Sequence, residues 1–269
     1  MNKPLVSVII PTYNRANLLP KAINSVINQT FKDWELLIID DGSKDNTKKI
    51  VAEFIEKDSR IKYFYQENSG QPAAMNLGIK NANGEYIAFL DDDDEWFPKK
   101  LEKQIKEFKR DKDIGLVYTD ALIVGGELNN KKSSEIARPF SGYVYKNLLI
   151  KNFITASSVI IKRKIFDNVG AFDENPFIKK TQTQDYDMWL RIAKDYKFCY
   201  IPEVLVKYNY VQKIFKSESK LVYYVAIIYI FKKHLKYSII SFLKITEYYL
   251  KYILFLSLIH ISEPTRQAE

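Results

Sequence analysis

Cysteine occurs once in the 269 residues, as Cys199, and histidine twice, as His234 and His260. A lone cysteine excludes an intramolecular disulfide and any cysteine-built metal site, and suits a reducing compartment; inside the apolar run Phe198 to Ile201 it reads as core filler. Both histidines lie near the C-terminal end, which excludes a histidine-based catalytic triad. Long apolar runs are missing too. A six-residue, mostly apolar stretch before Pro11 is too short for the apolar region of a signal peptide. Tail runs such as Leu221 to Phe231 fall short of the ~20 residues a spanning helix needs. The expected location is therefore cytoplasmic. Phosphate-loop signatures of the GxGxxG or GxxxxGK type do not occur, which weighs against a nucleotidyltransferase built on a basic, glycine-rich loop.

What is present is enough for a core: 46% of residues are hydrophobic and 14% aromatic. The net charge of +8 is concentrated late, with 10 Lys and Arg against 5 Asp and Glu in residues 200–269. A basic tail on a nearly balanced body argues against a nucleic-acid-binding core and toward an anionic surface met by the tail.

The pattern along the chain is one of short strands alternating with helices. Leu5 to Ile10 reads as a strand ended by Pro11, followed by a helix through Leu18, Leu19, Ala22, Ile23, Val26 and Ile27. Trp34 to Ile39 is the second strand, and Lys44 to Asp58 the second helix, capped by Ser43 or Asp45. Ile61 to Tyr65, a helix through Ala73, Ala74, Leu77 and Ile79, and the strand Glu85 to Leu90 complete an α/β pattern that predicts a parallel sheet. Leu116 to Thr119 and Ser157 to Ile161 read as further strands, separated by a polar, turn-rich stretch from Gly125 to Ser134.

Two of these strands end in acid. Asp40-Asp41 follows the second, and Asp91 to Asp94 follows the Glu85 strand, so in a parallel sheet both lie on the carboxyl edge where ligands of open α/β sheets bind. Four adjacent aspartates repel one another, and a divalent cation among them relieves that repulsion. One strand end is thus suited to a base or ribose, the other to a metal on a diphosphate.

The segments PTYNR (11–15), DDGSKDNT (40–47), NSGQPAAMNLGI (68–79), GEYIAFLDDDDEW (84–96) and QDYDMWLRI (184–192) together resemble a family-2 glycosyltransferase of the GT-A fold, over roughly residues 3–210. The resemblance implies a nucleotide-sugar donor, a UDP-sugar in this reading, a divalent metal (Mg2+ or Mn2+) and inversion at the anomeric carbon. It implies that Thr12 and Tyr13 line the nucleotide pocket, with the Tyr13 ring on the base, and that Asp41 hydrogen-bonds the uracil. Asp91, Asp92 and Asp93 stand at the metal motif, with Asp92 facing the ribose and Asp93 the cation. Asp185 stands at the general base, on a helix packed through Met188, Trp189 and Ile192. Gln184 occupies a place usually acidic, Met75 one commonly arginine, and Lys207-Tyr208-Asn209-Tyr210 lacks the arginine and histidine often found there. The missing QxxRW motif fits transfer of single sugars. The acceptor would be a cell-surface polysaccharide or a lipid-linked glycan. A catalytically inactive, membrane-bound relative is the competing reading, against which the retained Asp93 and Asp185 weigh.

The expected organisation is a catalytic domain over 1–215, split into a nucleotide-binding half (1–114) and an acceptor half (115–215), then a helical tail over 216–260. At about 100° per residue, Lys232, Lys233, Lys236, Lys244, Glu247 and Lys251 fall in one arc, on one basic amphipathic helix or on two with a break near Ser238. Such a tail suits peripheral attachment to an anionic membrane surface at the inner face of the cell membrane. The final string, Ile261 to Glu269, resembles translated adapter read-through and is left out of the fold.

Overall fold

The structure is a computed structural model and describes residues 3–210, 217–234 and 239–262. In chain order the first half contains β1 (Val6–Thr12), α1 (Leu19–Ile27), β2 (Trp34–Asp40), α2 (Thr47–Ile55), β3 (Ile61–Tyr65), α3 (Gln71–Asn81), β4 (Tyr86–Phe89), β5 (Glu95–Trp96) and α4 (Lys100–Arg110). Then come β6 (Ile114–Val124), α5 (Ser133–Ile136), α6 (Tyr145–Ile150), β7 (Ile160–Lys162) and α7 (Ile165–Val169). The last elements are α8 (Pro176–Thr181), α9 (Gln184–Ile192), β8 (Lys197–Asn209), α10 (Ser217–Lys232) and α11 (Ile239–Ser262). The chain divides into two compact units, residues 1–174 with 184–212, and residues 175–183 with 213–269.

The first unit is an eight-stranded sheet in the order β3-β2-β1-β4-β7-β6-β8-β5. Strands β3, β2, β1 and β4 are parallel; β1, β2 and β4 are buried along their whole length, as their mostly apolar runs predict for strands covered on both faces, while the edge strand β3 is partly exposed. Val6, Val8, Ile10, Leu36 and Ile38 pack into one core with Leu19, Ile23 and Val26 of α1 and Leu101, Ile105 and Phe108 of α4. On the opposite face Ile9 meets α3 at Gly78, where a Cβ would stand 2.5 Å from the Ile9 side chain. Any larger residue at 78 pushes α3 off β1.

Several expected boundaries move. Pro11 does not end β1: the strand continues to Thr12, and Pro11 pairs in register with Ile39. Ile9 accepts from Leu90 N–H on the β4 side, and by alternation the position of Pro11 faces the same side, beyond the end of β4. Its missing N–H therefore costs no ladder bond. Helix α2 begins at Thr47 instead of Lys44 and ends at Ile55. Asp45 is the residue that serves its start, accepting from both the N–H and the hydroxyl of Thr47, whereas the Ser43 hydroxyl accepts from Asn14 N–H. Ser157 and Ser158 lie in a 3-10 turn ahead of β7, and β7 runs antiparallel to both β4 and β6. Strand β6 continues well past Thr119, because β8 pairs with it as far as Asn209 across two bulged positions around Asp120.

In the second unit α10 packs against α11 and α8, burying Ala226, Ile227, Ile230, Phe231, His234 and Ile245. Phe242, Leu243, Tyr249, Leu250, Ile253 and Leu254 of α11 are exposed, on one arc of about 140° at 100° per residue. Lys244 and Lys251 stand beside that arc and both pair with Glu247, at 2.9 and 2.5 Å. Lys236 and Ser238 lie outside the described residues, as do 263–269 of the terminal string, while Ile261 and Ser262 close α11. Among the described residues no helix is long and apolar enough to cross a membrane.

Candidate active site

The parallel strands β1, β2 and β4 deliver their carboxyl ends to one edge of the sheet. After β1 the chain turns through Asn14 in the left-handed region (φ 53°) and is tied to the loop after β2. Asn14 N–H donates to Ser43 Oγ (2.8 Å), Lys44 N–H to Asn14 Oδ1 (2.7 Å), and Ala16 N–H to Asp45 Oδ2 (3.0 Å). These bonds consume the residues that would otherwise have begun α2.

Asp40 and Asp41 have separate tasks. Asp40 is buried and accepts from Ser43 N–H (2.8 Å) and the Tyr63 hydroxyl (2.6 Å), closing the turn from within. Asp41 accepts from Gln66 Nε2 (2.6 Å), Ser69 N–H (2.8 Å) and Gly70 N–H (2.8 Å), so it shapes the 66–70 loop. Gly42, at φ 88°, lets that loop close: a Cβ there would stand 2.7 Å from Asn68 N.

The four aspartates after β4 divide in the same way. Asp94 points inward, fully buried, and accepts from Ser157 Oγ (2.5 Å) and Asn209 N–H (2.8 Å). The Ser157 hydroxyl also accepts from Asp91 N–H (3.0 Å), and the Asn209 side-chain amide donates to Asp93 O. The run is thus sewn to the turn before β7 and to the end of β8. Asp92 accepts from the Thr12 hydroxyl (2.8 Å), and Arg15 Nη1 donates to Asp92 Oδ1 (3.0 Å) and to Asp93 Oδ2 (2.6 Å). Asp91 accepts from Gln71 Nε2 (2.9 Å), and Gln71 Oε1 accepts from Gln184 Nε2 (3.0 Å). Gln184 therefore joins the amino end of α9 to the aspartate run through neutral amides, where an acid would add a further charge.

Electrostatics reflect the crowding. Burial, then the charges of Asp93, Asp92 and Asp185, raise the Asp91 carboxyl to about 7, against the pull of Arg15. Burial also raises Asp92, opposed by Arg15 and by the Thr12 hydroxyl, and raises Asp94, where Asp91 adds to it. Burial holds the Tyr208 phenol protonated, reinforced by Asp94, Asp91, Asp185 and Asp93, which places its side chain among the acids. Asp185 opens α9 and accepts from Tyr186 N–H at 2.8 Å. The helix is held rigidly: Met188, Trp189 and Ile192 are fully buried, as the pattern predicts, and the Tyr186 hydroxyl donates to Leu148 O (2.6 Å). Arg191 donates to buried Asp187 (2.9 Å) and to the carbonyls of Val169 and Ala171 (2.5 and 2.9 Å).

Asp91, Asp92, Asp93, Asp185, Thr12 and Arg15 therefore form one cluster. Asp41 stands at the next strand end, and Tyr13 is 44% exposed. Sequence reasoning assigned no separate task to Arg15, Asp94, Ser157, Gln71, Tyr208 or Asn209. Only Arg15 and Asp94 had a local signal, a cation in the first acidic-edge loop and the fourth carboxylate of a run.

The glycosyl transferase family 2 profile matches residues 7–170. The chain belongs to glycosyl transferase family 2. This family-2 chain is 37% identical over 214 residues to an uncharacterized glycosyltransferase of Rickettsia typhi, covering 76% of the chain and 63% of the relative, and the similar Rickettsia conorii protein is covered over only 33% of its length. It is 38% identical over 196 residues, 72% of each chain, to the Escherichia coli UDP-Glc:alpha-D-GlcNAc-diphosphoundecaprenol beta-1,3-glucosyltransferase WfgD. It is 33% identical over 219 residues to the putative teichuronic acid biosynthesis glycosyltransferase TuaG of Bacillus subtilis, covering 81% and 83% of the two chains. Among solved structures, Staphylococcus aureus TarS 1-349 in complex with UDP-GlcNAc superposes with TM-score 0.69 at 18% identity, over 90% of this chain and 71% of that one. A Pyrobaculum calidifontis mannosyltransferase in complex with GDP-Man and Mn2+ gives 0.66 at 17%, over 98% and 77%. These likenesses establish the GT-A fold of the family-2 chain.

Proposed function

We propose that the protein moves a single sugar from a nucleotide-diphosphate sugar, a UDP-sugar in our reading, to a hydroxyl of a cell-surface polysaccharide or lipid-linked glycan, with inversion at the anomeric carbon. The observation that carries this reading is the meeting of Asp91 to Asp93, at the end of β4, with Asp185, at the start of α9. Asp185 takes the proton of the acceptor hydroxyl as its oxygen attacks the anomeric carbon, and the bond to the diphosphate breaks on the opposite face. Tyr13 stacks on the base, with Thr12 beside it and Asp41 holding the loop that frames it. Asp93 would hold Mg2+ or Mn2+, with Asp92 facing the ribose: hard carboxylate oxygens suit either ion, and the Arg15 guanidinium paired with both aspartates supports a position that favours positive charge. Among the described residues no group of three or more His, Cys, Asp or Glu side chains forms a complete metal cage, so diphosphate and water oxygens would supply the remaining ligands. When bound, the cation offsets the charge developing on the leaving nucleoside diphosphate.

The acceptor class rests on the relatives named for diphosphoundecaprenol-linked and teichuronic acid substrates. Attachment at the inner membrane face rests on the exposed apolar arc of α11 with lysines at its border, the form of a helix lying in an interface. The test is release of nucleoside diphosphate from a panel of nucleotide sugars with Mn2+ and with excess EDTA. Release from a UDP-sugar in Mn2+ alone, lost in Asp93→Asn, is expected; full turnover in EDTA refutes the metal-dependent reading.

A further inference from the structure

Among the described residues, both ion pairs made by the aspartate run are to Arg15. The other carboxylates of the run are held by neutral groups, Asp91 by the Gln71 amide and Asp94 by the Ser157 hydroxyl and Asn209 N–H. Arg15 Nη1 lies on Asp92 Oδ1 and on Asp93 Oδ2, of which Asp93 is the carboxylate that would meet a cation, at 3.0 and 2.6 Å. A divalent ion held by Asp93 would compete with this guanidinium for the negative charge of the carboxylate, and the two positive charges repel at such range. Arg15 and the metal therefore oppose each other's binding.

The side chain has freedom to leave, while its backbone does not. The Arg15 carbonyl accepts from the N–H groups of Leu18 (2.9 Å) and Leu19 (3.1 Å), and the neighbouring Asn14 and Ala16 N–H groups are tied to Ser43 and Asp45. The side chain is 45% exposed, against 7% for Asp92 and 18% for Asp93, so it can swing into solvent while the carboxylates stay fixed.

We propose that Arg15 is an internal counter-ion that occupies the metal position until donor and metal arrive together. Resting on the metal-dependent reading above, this assigns Arg15 control of the order of loading. In the nucleotide-free protein a free cation competes with the guanidinium and binds weakly. The diphosphate brings extra negative charge and the missing ligands, so the cation displaces Arg15 only with the nucleotide present. Arg15 is a positioning residue: it keeps the carboxylates apart and ready without committing them to a cation.

The experiment is Mn2+ binding followed by electron paramagnetic resonance on the full chain, with no nucleotide and then with UDP. Without nucleotide, Arg15→Gln should bind Mn2+ roughly tenfold more tightly than the unmodified protein, the lower end of what charged hydrogen bonds contribute because the side chain is part-exposed. Arg15→Lys, which keeps the charge but not the planar guanidinium, should bind Mn2+ less tightly than Arg15→Gln. Asp93→Asn combined with Arg15→Gln should lose the gain. If UDP brings Mn2+ to the unmodified protein and Arg15→Gln binds no more tightly without UDP, the counter-ion role is overturned while the metal reading stands. If no variant binds Mn2+ even with UDP, both are overturned.

Discussion

Ser157→Ala removes one oxygen from the centre of the aspartate anchor, and its effect follows from the two hydrogen bonds which that oxygen makes. Ser157 is fully buried; its hydroxyl accepts from Asp91 N–H at 3.0 Å and donates to Asp94 at 2.5 Å. A neutral buried hydrogen bond contributes about 1 kcal/mol and one to a charged group about 1.5–3 kcal/mol, so with Asp94 ionised the loss is about 2.5–4 kcal/mol. The pH dependence has a definite sign. Burial holds the Asp94 carboxyl above its ordinary range, and the Ser157 hydroxyl is among the groups that oppose this. Without it the folded-state pKa rises further. A carboxyl raised in the fold stabilises below its unfolded pKa, and that stabilisation is lost as pH climbs through the folded value. The deficit of Ser157→Ala should therefore be smaller at about pH 5 than at about pH 8, because a larger share of Asp94 is ionised at the higher pH. Urea unfolding followed by far-ultraviolet circular dichroism at the two pH values measures both quantities. A loss under about 0.5 kcal/mol at the higher pH, or a deficit that does not grow with pH, refutes the anchoring role.

Asp185→Asn should lower turnover by roughly 10²–10⁴-fold with UDP affinity little changed, and calorimetry beside steady-state rates would expose a misassignment if affinity fell while turnover held. Lys100 is fully buried, with its ammonium 2.8 Å from Gln104 Oε1 and 3.9 Å from the Trp96 ring centre, and burial pushes its pKa well below the ordinary value. The fold then binds fewer protons than the unfolded chain between the lowered pKa and the ordinary one, so stability should rise with pH in that window by up to about 1.4 kcal/mol per unit. Lys100→Met should abolish this part of the slope in melting curves, and an unchanged slope would show another group to be responsible. On α11, Leu250→Glu with Ile253→Glu should release the protein from anionic vesicles in co-sedimentation while leaving UDP binding intact; undiminished sedimentation rules out the exposed arc as the attachment face.

The parallel half of the sheet was legible because strands covered on both faces are mostly apolar, and β1, β2 and β4 read that way to within about two residues at each end. Its errors arose where side chains replaced backbone signals. Asp45 and Asn14 spend their bonds tying two loops together, so α2 starts late, at Thr47. The antiparallel placement of β7, and the reach of β6 to Val124, depend on partners far along the chain that no local pattern specifies. The acids were visible as residues, but their division of labour was not. Nothing in Asp-Asp-Asp-Asp says that the last one turns inward to Ser157 and Asn209, and the role of Arg15 depends on a separation of 77 residues closing to 3.0 Å. The tail read as helical, yet its outcome turned on packing: α10 uses its apolar residues against α11 and α8, and among the described residues the exposed large apolar side chains of α11 share one arc.

The pairing of β5 with the end of β8 has a temporal consequence. Glu95 and Trp96 align with Lys207 and Val206, and Asn209 supplies both bonds that close the aspartate loop from that side. During synthesis Asp93 and Asp94 leave the ribosome over a hundred residues before Asn209, which supports both, does. Until Asn209 has emerged, the nascent chain carries an acidic loop without that support, and an amino-terminal fragment ending near residue 114 would keep only the partial support of the Thr12, Arg15 and Gln71 side chains. Competence of the acidic edge is thus a late event in the life of the chain, decided by its second half.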